Sequence, residues 1–169
     1  MIRSIAICLF ALFPLVLFSC EKAPDVIIPE APVEEQTGNG GTNTKDDTPM
    51  PNEIKISVSG KTLPVKIEDN EATKALVAAL REASITYEAD DYGGFEKVGP
   101  LGRSLPGNDT RITTGPGDVI LYSGNQIVLF YGSNSWSYTR IGKVEYESLD
   151  ALKSFLKAGE GKISVTLSL

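Results

Sequence analysis

Gly117-Asp118-Val119-Ile120-Leu121-Tyr122-Ser123-Gly124-Asn125-Gln126-Ile127-Val128-Leu129-Phe130-Tyr131 decides the fold. Two runs of aliphatic and aromatic residues flank a turn at Gly124-Asn125, which is the pattern of a β-hairpin. Successive strand side chains point to opposite faces. From Ile127 to Tyr131 every residue is apolar, so neither face suits water and the hairpin must be buried on both sides. Trp136 to Val144 follows as a third strand of the same group.

Upstream, Ile54, Ile56 and Val58 alternate with Lys55, Ser57 and Ser59, and the alternation resumes after Gly60-Lys61 with Leu63, Val65 and Ile67. This predicts a second hairpin with a two-residue glycine-containing turn. Pro64 places its strand at an edge or a bulge. The period then changes to that of a helix at Ala72, Ala75, Leu76, Ala79, Leu80 and Ala83, capped by Asp69 or Asn70. Ile85, Tyr87 and Ala89 return to the strand period. Asp90 to Pro116 is rich in Gly and Pro and reads mostly as loop, with short strands near Phe95–Val98 and Arg111–Thr113. A second helix, capped by Ser148 and stopped by Gly159, carries Leu149, Leu152, Phe155 and Leu156. Ile163, Val165, Leu167 and Leu169 end the chain as a strand. Seven or eight antiparallel strands in one sheet close into a barrel or split into a sandwich. The two short helices have the length to plug the ends of a barrel.

The start of the chain is of another kind. Arg3 precedes an apolar run from Ile5 to Phe18, and Leu17-Phe18-Ser19-Cys20 resembles a lipoprotein cleavage box. Residues 1–19 are therefore expected to be a bacterial lipoprotein signal peptide, too short for a spanning helix, with Cys20 carrying the lipid, palmitate included. That implies export and membrane anchoring at the cell envelope, at the outer membrane. Cys8 would leave with the signal peptide and Cys20 would be consumed by the lipid, so no disulfide, Cys-based metal site or thiol nucleophile is expected. Residues 20–52 hold five prolines and no aromatic residue. Such a segment buries too little apolar surface to offset its ordering entropy, and reads as an acidic Pro/Gly tether. The folded domain is expected over 53–169.

The whole chain has 16 basic and 22 acidic residues, and seven of the acidic ones fall in the tether. A near-neutral domain without a basic stripe is not expected to bind nucleic acid. There is no histidine, and without one the usual acid-base residue and hydrolase triads are missing. Glu88, Asp90 and Asp91 fit no calcium-loop spacing and read as solvated loop. Gly115-Pro116-Gly117-Asp118 is a turn into a strand and no phosphate cradle, because neither Lys-Ser/Thr nor a helix start follows. No metal and no cofactor is expected.

Gly117–Tyr122, Val128–Tyr131 and Tyr138-Thr139-Arg140-Ile141-Gly142-Lys143-Val144, with Glu96-Lys97-Val98-Gly99 and Leu105-Pro106 upstream, resemble the small bacterial cyclophilin-like domain family. The resemblance implies a closed, mainly β barrel of about eight strands with two short capping helices. It implies no activity. True cyclophilins carry an arginine, a phenylalanine, a glutamine and a histidine around a proline pocket, and none of these roles can be placed on this sequence. Catalytic residues are therefore expected to be none. The favoured function is a non-catalytic binding or interaction module at the envelope; the alternative is a degenerate or unconventional peptidyl-prolyl isomerase.

Tyr131, Asn134, Trp136, Tyr138 and Arg140 combine large rings with one guanidinium fork, the residue types of an anchor site. The binding site is expected at the barrel mouth, with Glu96 and Arg103 from the long loop closing over it. A peptide, a glycan or a small anion is the expected ligand, and Arg140 is the residue that would favour the anion. The opposing expectation is that these rings merely pack and that Arg140 pairs with a surface carboxylate.

Overall fold

The computed structural model describes residues 49–169. The expected signal peptide, Cys20 and the tether as far as residue 48 lie outside the described residues. The elements run β1 (Glu53–Val58), β2 (Lys61–Ile67), α1 (Glu71–Glu82), β3 (Ile85–Tyr92), β4 (Glu96–Pro100), β5 (Thr110–Thr113), β6 (Asp118–Tyr122), β7 (Gln126–Phe130), β8 (Ser135–Val144), α2 (Leu149–Phe155) and β9 (Ile163–Ser168).

The deciding hairpin is β6–β7, paired from Val119↔Leu129 to Tyr122↔Gln126. Its register sends Val119, Leu121, Ile127 and Leu129 into the main core and Ile120, Val128 and Phe130 into a second cluster on the opposite face. Both faces are thus covered, as the unbroken apolar run requires. In the β1–β2 hairpin the turn residues are Ser59 and Gly60, both at positive φ (49° and 77°), which is the backbone of a type I′ turn. Pro64 lies just outside the β2–β8 ladder, so its missing N–H costs no bond there.

Eight strands in the order β2-β1-β9-β3-β4-β7-β6-β8, all antiparallel, form a barrel closed by the β2–β8 pairing from Val65↔Val144 to Ile67↔Gly142. Closure leaves no unpaired edge within the ring. It also needs close approach, because a Cβ at Gly142 would run into the Lys66 carbonyl. β5 stands outside the ring and pairs only with Ser135–Tyr138 of β8. β2 and β9 are both antiparallel to β1. Since α1 follows β2 and α2 precedes β9, the helices lie at opposite ends of the barrel. Leu76, Val77 and Leu80 from α1, and Leu152, Phe155 and Leu156 at α2, join the main core.

One irregularity positions α1. Across from β6 the register of β8 slips by one residue at Val119/Ile120, which leaves Ile141 as the extra residue of a bulge. The Ile141 carbonyl accepts from Glu68 N–H at 2.9 Å, and the Arg140 carbonyl accepts from Asn70 Nδ2 at 2.8 Å. Asn70 is the N-cap of α1, its Oδ1 accepting from Thr73 N–H at 2.9 Å. The helix start is therefore fastened to carbonyls at the bulge. Residues 49–52 also lie against the barrel: Pro49 accepts from the Arg81 guanidinium, Met50 packs on the core and Asn52 accepts from Ile67 N–H.

The structure corrects one expectation. Asp91 is not in a solvated loop, because β3 continues through Tyr92 and turns Glu88 and Asp90 outward while Asp91 joins Tyr87 and Ala89 on the inner face. Asp91 meets Lys97, whose side chain has no exposed surface, at 2.8 Å. It also accepts from Tyr131 Oη at 2.9 Å and Gly161 N–H at 2.8 Å, and Lys97 Nζ donates to the Gly161 carbonyl. Burial alone would raise the Asp91 carboxyl, but Lys97, the Gly159 and Gly161 amides and Tyr131 outweigh it and hold it down to about 2.

Leu129 sits in the middle of this interior at 1 % exposure. Leu129→Ala is expected to cost about 2–5 kcal/mol, the range for truncating a packed core side chain. Chemical denaturation checks it against the exposed control Lys55→Ala.

Candidate functional site

The outer cluster is where the barrel wall meets β5 and the first residues of β8. Ile112 from β5 and Tyr138 from β8 pack on Ile120, Val128 and Phe130. Tyr138 sets its ring edge-on to Phe130 (5.7 Å, 71°) and to Tyr122 (5.8 Å, 73°), and Phe95 stacks on Phe130 at 6.3 Å. Such edge-on pairs place the positive rim of one ring against the negative face of the next. The cover is incomplete and leaves a cleft of about 440 Å³, a size that takes a side chain or a small molecule.

Strand periodicity dictates what the cleft shows. On β4, Glu96 and Val98 point outward into it, while Lys97 between them points into the barrel. Val128 adds to the apolar lining; Tyr122, Gln126, Asn134 and Tyr138 line it further, and Tyr92 and Trp136 stand at the rim with 67 % and 54 % of their surface exposed. Asn134 is held in place, since its Nδ2 donates to Tyr138 Oη at 3.0 Å and its carbonyl accepts from Thr114 N–H at 2.8 Å.

Among the described residues, Glu96 is the one acidic or basic side chain on the cleft. It is 4 % exposed, and its Oε2 is buried with no hydrogen-bond partner among the described residues. Burial pushes its carboxyl up to about 7. Burial likewise raises the Tyr138 hydroxyl, with the Glu96 charge adding to the effect. Buried polar atoms are nearly always paired, so an orphan oxygen of this kind needs a reason.

The residues singled out from the sequence fall in three places. Glu96, Asn134, Trp136 and Tyr138 come together on the cleft. Tyr131 turns inward to the main core and to Asp91. Arg140 lies off the cleft, with its guanidinium 2.7 Å from Asp118 and 3.5 Å from Glu68. Asp118, itself 2 % exposed, also takes Lys143 at 3.3 Å and Gly115 N–H at 2.9 Å. Arg103 sits exposed between β4 and β5 and does not line the cleft. Glu96 lies on β4, where a short strand near Phe95–Val98 was expected within the long segment, and the cleft opens on the barrel's outer wall, not at its mouth. Tyr92, Tyr122 and Gln126 were not singled out, although Tyr122 shares the Ile120 face by simple alternation.

The model of the Cyclophilin-like family matches residues 56–168. The chain belongs to that family. Its cyclophilin-like barrel is also similar to the solution structure of a hypothetical protein from Archaeoglobus fulgidus, at 17 % identity, over 69 % of this chain and 92 % of that one, with a TM-score of 0.47. No curated protein matches the chain.

The Glu96 carboxyl links this cyclophilin-like cleft to stability. Its folded-state value, about 7, lies above the ordinary 4.5, so the folded chain keeps a proton that the unfolded chain has lost. The contribution is present below about 4.5 and is lost as pH rises through about 7. Glu96→Gln, which cannot ionise, is expected to gain stability relative to the parent as pH rises from 4.5 to 8. Thermal melts at several pH values check this, and a constant difference between the two proteins would contradict it.

Proposed function

We propose that this chain is a non-catalytic binding module of the cell envelope, in which a lipid on Cys20 and a Pro/Gly tether display a cyclophilin-like barrel and the outer-wall cleft receives the ligand. The observation that carries the reading is Glu96: a carboxylate oxygen buried among aromatic rings with no partner of its own. Leaving a buried polar group unpaired costs about 1–3 kcal/mol, and more if it is charged. A bound ligand that supplies the missing partner offsets that cost. The rim agrees with this use, because exposed Tyr92 and Trp136 give large contact area with little side-chain entropy to lose.

The anchor rests on Leu17-Phe18-Ser19-Cys20 following an apolar run. A lipoprotein carries two or three acyl chains, and each buried CH₂ adds about 0.8 kcal/mol of membrane affinity, so the attachment would be lasting. The absence of histidine, and of any residue set matching that of an active cyclophilin, favours binding without turnover.

Cys20→Ala is expected to release the protein from the membrane fraction or to leave it uncleaved. Fractionation of cells expressing each form decides, and unchanged membrane retention of a correctly cleaved variant would contradict the anchor. The cleft is read separately through Trp136, the single tryptophan: peptides, envelope glycans and small ions are titrated against its emission. A response to at least one class that is lost when the cleft is filled by Val128→Phe, which adds no second indole, supports the site.

A further inference from the structure

The sequence led to an anion as one expected ligand because of Arg140, and the geometry of the cleft has the opposite sign. Arg140 is consumed by Asp118 and Glu68. Lys97, next in sequence to Glu96, is turned through the wall to Asp91 and Gly161. What remains on the cleft is a single carboxylate, 4 % exposed, with an unpartnered oxygen. An anion entering there would bring a second negative charge into a site that already disfavours one. A cation would supply the absent counter-charge and the absent hydrogen-bond donor together.

The aromatic lining points the same way. Tyr92, Tyr122, Trp136 and Tyr138 all border the space around Glu96. The faces of these rings are electronegative and attract cations within about 6 Å, most strongly for tryptophan. A metal ion would need several oxygen ligands, whereas one carboxylate among rings suits an organic cation with an apolar stem.

Taking the cleft as the ligand site, we propose that it recognises an alkylammonium group, with the charged nitrogen set against Glu96 and the methylene stem against Tyr92, Tyr122, Trp136 and Tyr138. Two sources share this chemistry, the side chain of a lysine in a peptide or protein and a free amine. The cleft volume of about 440 Å³ takes either.

The test is a titration of the full chain, read by Trp136 emission, with four probes: N-acetyl-lysine N-methylamide, its neutral isostere N-acetyl-norleucine N-methylamide, butylamine, and inorganic phosphate. The lysine derivative is expected to bind at least about tenfold more tightly than the norleucine derivative, and phosphate is expected to leave the emission unchanged. Butylamine matching the lysine derivative would point to a free amine, and a clear preference for the lysine derivative to a peptide; both support the proposal. Glu96→Gln should weaken binding of the lysine derivative about tenfold or more, with the norleucine derivative unaffected. Because Glu96 is buried, Tyr92→Ala at the exposed rim serves as the second variant, and should weaken the charged probe about two- to fivefold. Equal binding of the charged and neutral derivatives, or a response to phosphate alone, would overturn the cation and leave the cleft standing as a site. Silence from all four probes would overturn the cation and remove support from the cleft as well.

Discussion

A strand that is apolar on both faces must be covered twice, and β7 imposes this on the whole domain. Ile127 and Leu129 fill the barrel, and that requires the ring to close so that strands on every side contribute to one interior. Val128 and Phe130 face outward and would leave a greasy stripe on the surface, which soluble domains avoid. The chain covers that stripe with β5 and the start of β8, an addition that the barrel itself does not need. Because the cover is short, it leaves a gap over Val128 and beside Glu96, and the cleft is that gap. Barrel, flap and cleft all follow from five residues with no polar face.

The same alternation separates two opposite charges that are neighbours in sequence. Lys97 goes inward, where Asp91 and the Gly161 carbonyl satisfy it. Glu96 goes outward, where nothing does. Strand geometry prevents the two from pairing with each other, so the domain holds one satisfied buried pair and one unsatisfied acid within a single peptide link. The first is a structural staple between β3, β4 and the loop before β9. The second is what gives the cleft a chemical preference.

The parts of this arrangement that were legible in the sequence are those with local periodicity. The β1–β2 hairpin, the Asn70 and Ser148 caps and the β6–β7 hairpin are each set by residues within a few positions of one another. The family resemblance agreed with the closed barrel. The end of β3 was not legible, because Glu88-Ala89-Asp90-Asp91 shows no apolar alternation and the stabilising partner, Lys97, lies on another strand. Arg140 was placed with the aromatics by proximity in sequence, yet the bulge at Ile141 sends it to Asp118 on the neighbouring strand. Glu96 was found, within a short strand expected near Phe95–Val98, but its burial was not, since the flap over it is formed by pairing across more than twenty positions. What a side chain meets across a barrel is a long-range fact, and no window along the chain contains it.

The chemistry of the cleft depends on Glu96 being buried there with no partner among the described residues. The most direct measurement is a ¹³C NMR titration of the Glu96 side-chain carboxyl in the uniformly labelled chain. A midpoint near 7 is expected in the free protein. A midpoint in the ordinary glutamate range, near 4.5, would show a solvated or partnered carboxylate and contradict this.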